Sequence, residues 1–145
     1  MAEKFADRQA QQTILIVDDE MDMRIFLSTL FETSGYLPIA TRDGQDGLAK
    51  AKALKPDLII LDVMMPGEGG ALMYKALKSD PDLAPIPVIM LSAVSETTFK
   101  HYLKMLSARF RAPVPRPQAY VEKPPDPDAL LKLAQRTLAA PAETG

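Results

Sequence analysis

Hydrophobic and polar positions along the chain switch between two rhythms. Short, unbroken apolar runs suit strands buried on both faces, whereas apolar residues three and four apart suit helices with one inward stripe. The runs are Thr13 to Val17 (TILIV), Leu37 to Thr41, Leu58 to Leu61 (LIIL), Ile86 to Leu91 (IPVIML) and the short pair Tyr120-Val121. Between the first two, Met23, Phe26, Leu27, Leu30 and Phe31 recur at helical spacing from Met21 onward, and Gly35 follows as a C′ stop, which predicts a helix of about four turns. Asp43-Gly44 opens a second helix, with Ala49, Ala53 and Leu54 expected to face inward. Gly67 to Gly70 reads as a glycine-rich loop, and Ala71 to Lys78 as a third helix ended by Asp80-Pro81. Glu96 to Phe110 predicts a fourth, with Phe99, Leu103 and Leu106 on one stripe. Asp126 or Asp128 caps a fifth, which holds Leu130, Leu131, Leu133 and Leu138.

Strand and helix therefore alternate five times along the chain. That order predicts an α/β domain with a parallel sheet, helices on both faces and right-handed crossovers. Residues 1–12 read as a flexible lead-in, 13–140 as one domain and 141–145 as a loose tail. The stretch Arg111 to Gln118 (RAPVPRPQ) carries Pro113, Pro115 and Pro117, so it is neither helix nor interior strand but an extended loop.

Composition narrows the class. A chain of 145 residues with 47% hydrophobic content supports one core, and 25% charged residues argue against disorder. Net charge is -2 and no dense run of Lys or Arg occurs, so neither nucleic acid nor a membrane is an expected partner. With no cysteine, no long apolar run and a polar first dozen residues, the expected location is cytoplasmic.

Each buried run ends in a polar residue. Asp18 and Asp19 close the first strand, Asp62 the third, Ser92 follows the fourth and Lys123 the fifth. Carboxyl ends of parallel strands converge on one rim, where ligands of open α/β sheets bind. Three carboxylates there raise one another's pKa unless a cation or Lys123 neutralises them. A hard, oxygen-seeking ion such as Mg²⁺ fits such a set, binding through one or two carboxylates, water and phosphate oxygens. Lys123 could hold a phosphoryl oxygen and the Ser92 hydroxyl another. The first strand leads into DDE rather than a G-x-G-x-x-G loop, and no G-x-x-x-x-G-K-[ST] occurs, which argues against a nucleotide fold. Taken singly, Asp18 or Asp62 could cap a turn or helix, Ser92 could be a turn former and Tyr120 an ordinary strand aromatic. Glu20 reads as a solvated charge in the first turn of a helix, and His101 as surface.

Asp18-Asp19 after ILIV, Asp62-Val63-Met64-Met65-Pro66 with Gly70, Ser92-Ala93 after VIML, and Tyr120-Val121-Glu122-Lys123-Pro124 together resemble the receiver domain of bacterial response regulators, the CheY-like family of two-component signalling. The likeness spans roughly Thr13 to Ala139. It implies a flavodoxin-like, doubly wound five-stranded parallel sheet in the order 2-1-3-4-5 with five helices. It also implies that Asp62 is the phosphoacceptor, taking a phosphoryl group from the phosphohistidine of a sensor histidine kinase or phosphotransfer protein with Mg²⁺ as cofactor. Asp18, Asp19, Asp62 and the Met64 carbonyl would hold the metal, Ser92 and Lys123 the phosphoryl group, and Ser92 with Tyr120 would form the switch. The Lys123-Pro124 peptide is cis in this family. With about twenty residues after Lys123, the expectation is a stand-alone receiver, monomeric or dimerising on phosphorylation, that acts on an unknown downstream protein. It would catalyse only its own phosphorylation and dephosphorylation.

Three departures from the family pattern stand out. Glu68 and Gly69 replace the usual apolar and small polar pair. Met64 and Val94, which flank the path of the water that attacks the phosphoryl group, are both apolar, so slow phosphate loss is expected. The separation of Ser92 from Lys123 exceeds the usual one by more than two helical turns, and the excess is the proline-rich stretch, expected beside the fourth helix and fifth strand where it would reshape recognition. Two other classes remain open. A phosphatase like the haloacid dehalogenase family needs a second Asp where Met64 stands. A phosphorylation-independent interaction module on the receiver fold is the other.

Overall fold

A computed structural model of the chain describes residues 11–65 and 69–140. Among them, strands and helices alternate as β1 (Thr13–Val17), α1 (Met21–Glu32), β2 (Leu37–Thr41), α2 (Gly44–Leu54), β3 (Leu58–Leu61), α3 (Gly69–Ser79), β4 (Val88–Ser92), α4 (Glu96–Phe110), β5 (Ala119–Glu122) and α5 (Pro127–Ala139). Every strand pair is parallel, and the sheet order is β2-β1-β3-β4-β5. This is the doubly wound, flavodoxin-like arrangement expected from the sequence.

Successive residues of the three central strands enter opposite faces of the sheet. Leu15, Val17, Ile59, Leu61, Val88 and Met90 pack against α2, α3 and α4, while Ile14, Ile16, Leu58, Ile60, Ile89 and Leu91 pack against α1 and α5. All are exposed by 1% or less. Burial on both faces is why these strands read as unbroken apolar runs rather than alternating ones.

Local chemistry sets most boundaries. At the end of α1, Gly35 takes φ 94. Its amide bonds to the Glu32 carbonyl at 3.1 Å and the Tyr36 amide to that of Phe31 at 3.0 Å. That is a Schellman closure, and the Phe31 and Tyr36 rings meet edge to face across it at 6.3 Å. Asp43 caps α2, accepting from the Asp46 amide at 2.7 Å. Between the two candidates for α5, Asp126 is the cap, accepting from the Ala129 amide at 2.9 Å, with Pro127 next in the chain.

Three expectations need correction. Ala49, Ala53 and Leu54 do not face inward: all are exposed, and α2 buries Gly44, Gly47 and Ala51 instead. Two glycines carry this inward face, so it is invisible to a hydrophobic pattern. They are there because α3 lies against α2: a Cβ on Gly44 would overlap the Gly69 carbonyl, and one on Gly47 would stand 2.9 Å from Met73 Sδ of α3, as well as 2.9 Å from Val17 Cγ2 of β1. Next, α3 begins at Gly69 rather than Ala71, so Gly69 and Gly70 are helical; Gly67 and Glu68 lie outside the described residues. Finally, β4 starts at Val88 rather than Ile86 and takes in Ser92, because Ile86 closes a turn onto the Leu83 carbonyl at 3.0 Å.

Of the expected lead-in, residues 1–10 lie outside the described residues, as does the tail 141–145. Gln12 is tied in, its carbonyl accepting from Leu37 at 2.9 Å. Among the described residues, no helix is long and apolar enough to cross a membrane.

Candidate functional site

Backbone hydrogen bonds continue one residue beyond the strand ends and so fix the positions of the polar residues there. The Asp18 amide donates to the Thr41 carbonyl at 3.1 Å, Asp62 to Val17 at 2.9 Å and Lys123 to Ser92 at 2.8 Å. The β1, β3 and β5 ends thus deliver Asp18, Asp62 and Lys123 onto one rim. Gly70 lets α3 close against it: a Cβ there would overlap the Asp62 carbonyl and lie 2.7 Å from Val63 Cα. Arg24 anchors the first loop by donating to the Asp18 carbonyl at 2.8 Å.

The Lys123 ammonium stands at the centre of the cluster. It is 2.8 Å from Asp18 Oδ2, 2.8 Å from Glu20 Oε1 and 3.1 Å from Asp62 Oδ2. Asp18, Asp62 and Ser92 are buried, Asp19 and Glu20 exposed. The remaining carboxylate oxygens are held by local amides, Asp18 Oδ1 by Glu20 at 2.9 Å and Asp62 Oδ1 by Met64 at 3.0 Å. Burial pushes the Asp62 carboxyl above its ordinary value; the nearby Lys123 pulls it down and Asp18 pushes it up further. Burial disfavours the Lys123 charge, but bonds to Asp18 and Glu20 and the Asp62 carboxylate outweigh it and hold that amine well above its ordinary value.

Asp18, Asp19, Glu20 and Asp62 each offer an oxygen within 4.8 Å of the others. Such an all-oxygen, anionic set suits a hard divalent cation, and its excess negative charge is what such an ion offsets. Among the described residues, the buried Asp18 Oδ2 has the Lys123 ammonium at 2.8 Å as its one polar partner. The residues therefore fit a metal ion.

Glu20 is the residue that sequence reasoning missed. It sits at the N-cap of α1 in extended backbone, and its side chain reaches back to Lys123 instead of being merely solvated. Its place two residues after Asp18, at a helix start on the rim, was the available signal.

Ser92 ends β4 fully buried, its Oγ accepting from the Val94 amide at 3.4 Å. Tyr120 is not part of the acidic cluster. Its hydroxyl donates to the Val94 carbonyl, and its ring stacks on Phe99 of α4 at 4.6 Å. The Lys123-Pro124 peptide is cis. Met64 is 45% exposed beside Asp62, and His101 is exposed on α4.

A family profile for the response regulator receiver domain matches residues 14–135. The chain belongs to that family. It is similar to PilH of Pseudomonas aeruginosa, with 33% identity over 126 residues, or 87% of this chain and 97% of PilH. It is 39% identical to the polar-differentiation response regulator DivK of Brucella anthropi over 83 residues, covering 57% of this chain and 67% of DivK. Among solved structures, the chemotaxis protein CheY4 of Vibrio cholerae superposes with a TM-score of 0.74 at 29% identity, covering 88% of this receiver and 98% of CheY4. The receiver is thus a signalling module of two-component systems.

Proposed function

We propose that the receiver accepts a phosphoryl group on Asp62 from the phosphohistidine of a sensor histidine kinase or phosphotransfer protein, and that this switches a protein-binding surface. The observation that carries it is the Asp62 carboxylate, buried at the rim with one oxygen on the Met64 amide and the other on Lys123. An Asp62 oxygen attacks phosphorus in line, the P–N bond breaks and the imidazole leaves, so one O–P bond replaces one N–P bond. Asp18, Asp19 and the Met64 carbonyl, with Asp62 itself, are the proposed holders of Mg²⁺. Bound there, the ion would supply positive charge to the phosphoryl oxygens.

Lys123, released from part of its carboxylate shell, pairs with one phosphoryl oxygen and the Ser92 hydroxyl donates to another. Tyr120 is the proposed relay. Its link to Val94, two residues beyond Ser92, and its stack on Phe99 connect the rim to α4. Met64 and Val94 offer no side-chain group to orient a hydrolytic water, so the phosphoryl group is lost slowly.

Intact-mass spectrometry after incubation with acetyl phosphate and Mg²⁺ tests this. Wild type should gain one phosphoryl group that Asp62→Ala does not, and Met64→Asn and Val94→Glu should lose it faster. A wild-type chain that stays unmodified with both acetyl phosphate and phosphorylated kinase would favour the phosphorylation-independent module, and unchanged decay in both variants would remove the claim about water.

A further inference from the structure

The segment between α4 and β5 is held in place rather than loose. The Tyr74 hydroxyl of α3 donates to the Pro115 carbonyl at 2.6 Å, and Ser107 of α4 binds the Val114 amide through Oγ at 3.0 Å and the Ala112 amide through its carbonyl at 3.2 Å. Val114 packs onto the core cluster under α4. With Pro113, Pro115 and Pro117 restricting the backbone, the strap forms a stiff wall beside the helix. A groove of about 490 Å³ runs between the two. Leu103 and Val114 give it an apolar floor and Lys100, Lys104 and Arg116 line it; among the described residues no carboxylate lines this groove, while Glu96 lines the adjoining hollow. Lys100 lies 3.9 Å from Glu96 on its own helix, so Lys104 and Arg116, both exposed, carry most of the unbalanced charge.

We propose that this groove docks an acidic, extended segment of a partner protein that places one apolar side chain on Leu103 and Val114. The inference rests on the receiver reading only for its regulation: a second hollow that shares Lys100, Leu103 and Arg116 also contains Phe99 and Tyr120, so the groove is continuous with the proposed relay. Charge complementarity selects the occupant. A nucleic acid fits less well, because three cations on a chain of net charge -2 offer little phosphate neutralisation, and His101 is the one ring among the described residues that line the groove. A preformed wall reduces the ordering needed on binding, which favours a short linear segment.

The test is selection of a phage-displayed library of random peptides on the full chain, followed by fluorescence anisotropy of the selected peptides. Enrichment in Asp and Glu around one apolar residue is expected, with affinity falling as salt rises. Lys104→Glu combined with Arg116→Glu should weaken binding by roughly tenfold or more, whereas Val114→Ala should weaken it less. Failure to select peptides, selection without acidic enrichment, equal binding to the charge-reversed variant, or displacement by a single-stranded oligonucleotide at lower concentration than by the peptide itself would each overturn the proposal. Circular dichroism confirms that the variant is folded. Acetyl phosphate labelling of Asp62 is read in parallel, so loss of labelling in wild type with the peptide still bound removes the receiver mechanism and leaves the groove standing.

Discussion

At the carboxyl rim, one ammonium draws the carboxylates of Asp18, Glu20 and Asp62 to within 3.1 Å of itself, and Asp18 and Asp62 are buried. The strap enters β5 at the other end of the strands, and it is held by neutral hydrogen bonds from Tyr74 and Ser107 and by one valine on the core, while its charged side chains point to solvent. The rim concentrates charge where burial makes it costly, so any change in its ionic balance is felt by the whole fold. The strap keeps its charge exposed, where it costs little and remains available to a partner. On the proposed reading, chemistry and recognition occupy regions of different dielectric, and the stacked pair Phe99 and Tyr120 lies between them.

The contrast breaks most readily at its centre. Lys123→Met leaves two buried carboxylates facing each other and should cost about 3 kcal/mol in urea unfolding at neutral pH, a loss that Mg²⁺ partly restores. The companion change Asp62→Asn should act in the opposite direction. Because burial raises the Asp62 pKa above the ordinary 3.8, folding is favoured by its protonated form below that value, and this contribution is lost as pH rises through the raised one. Asp62→Asn should therefore stabilise the chain at neutral pH, with the gain fading in acid; a pH-independent gain would show that Asp62 bears no electrostatic cost.

Gly70→Ala tests the rim through its backbone. The added Cβ meets the main chain of Asp62 and Val63, which cannot yield like a side-chain tip, so a loss of about 2 kcal/mol with slower labelling of Asp62 is expected. Retained labelling would mean that α3 shifts without moving the acceptor loop. The smallest effect belongs to the strap. Tyr74→Phe removes one hydrogen bond to Pro115, should cost about 1 kcal/mol, and should leave Asp62 labelling unchanged. Impaired labelling would show that the strap supports the rim rather than standing apart from it.

Strand positions and the polar strand ends were legible in the chain because burial on both faces leaves a signature that needs no partner to be read, whereas the strand order followed from the likeness to receiver domains, and the polar ends gained meaning only as a set on one rim. Asp18, Asp62, Ser92 and Lys123 announced themselves in this way. Glu20 did not, since an acid at a helix start is ordinary until the fold shows Lys123 arriving from a strand more than a hundred residues later. The inward face of α2 failed for a related reason: Gly44 and Gly47 carry no hydrophobic signal, and only the closeness of α3 explains why no larger residue stands there. The strap shows the same division. Its prolines forbade helix and interior strand, but whether an extended stretch lies against the domain depends on contacts with distant residues. Tyr74 supplies one from 41 residues away, and it comes into reach only once the sheet has brought α3 beside the strap, whereas the Ser107 bonds are local. Features that are local, periodic or locally capped are written in the chain itself; those whose energy depends on two residues far apart in the chain and close in space, such as the Glu20–Lys123 pair, exist only once it has folded.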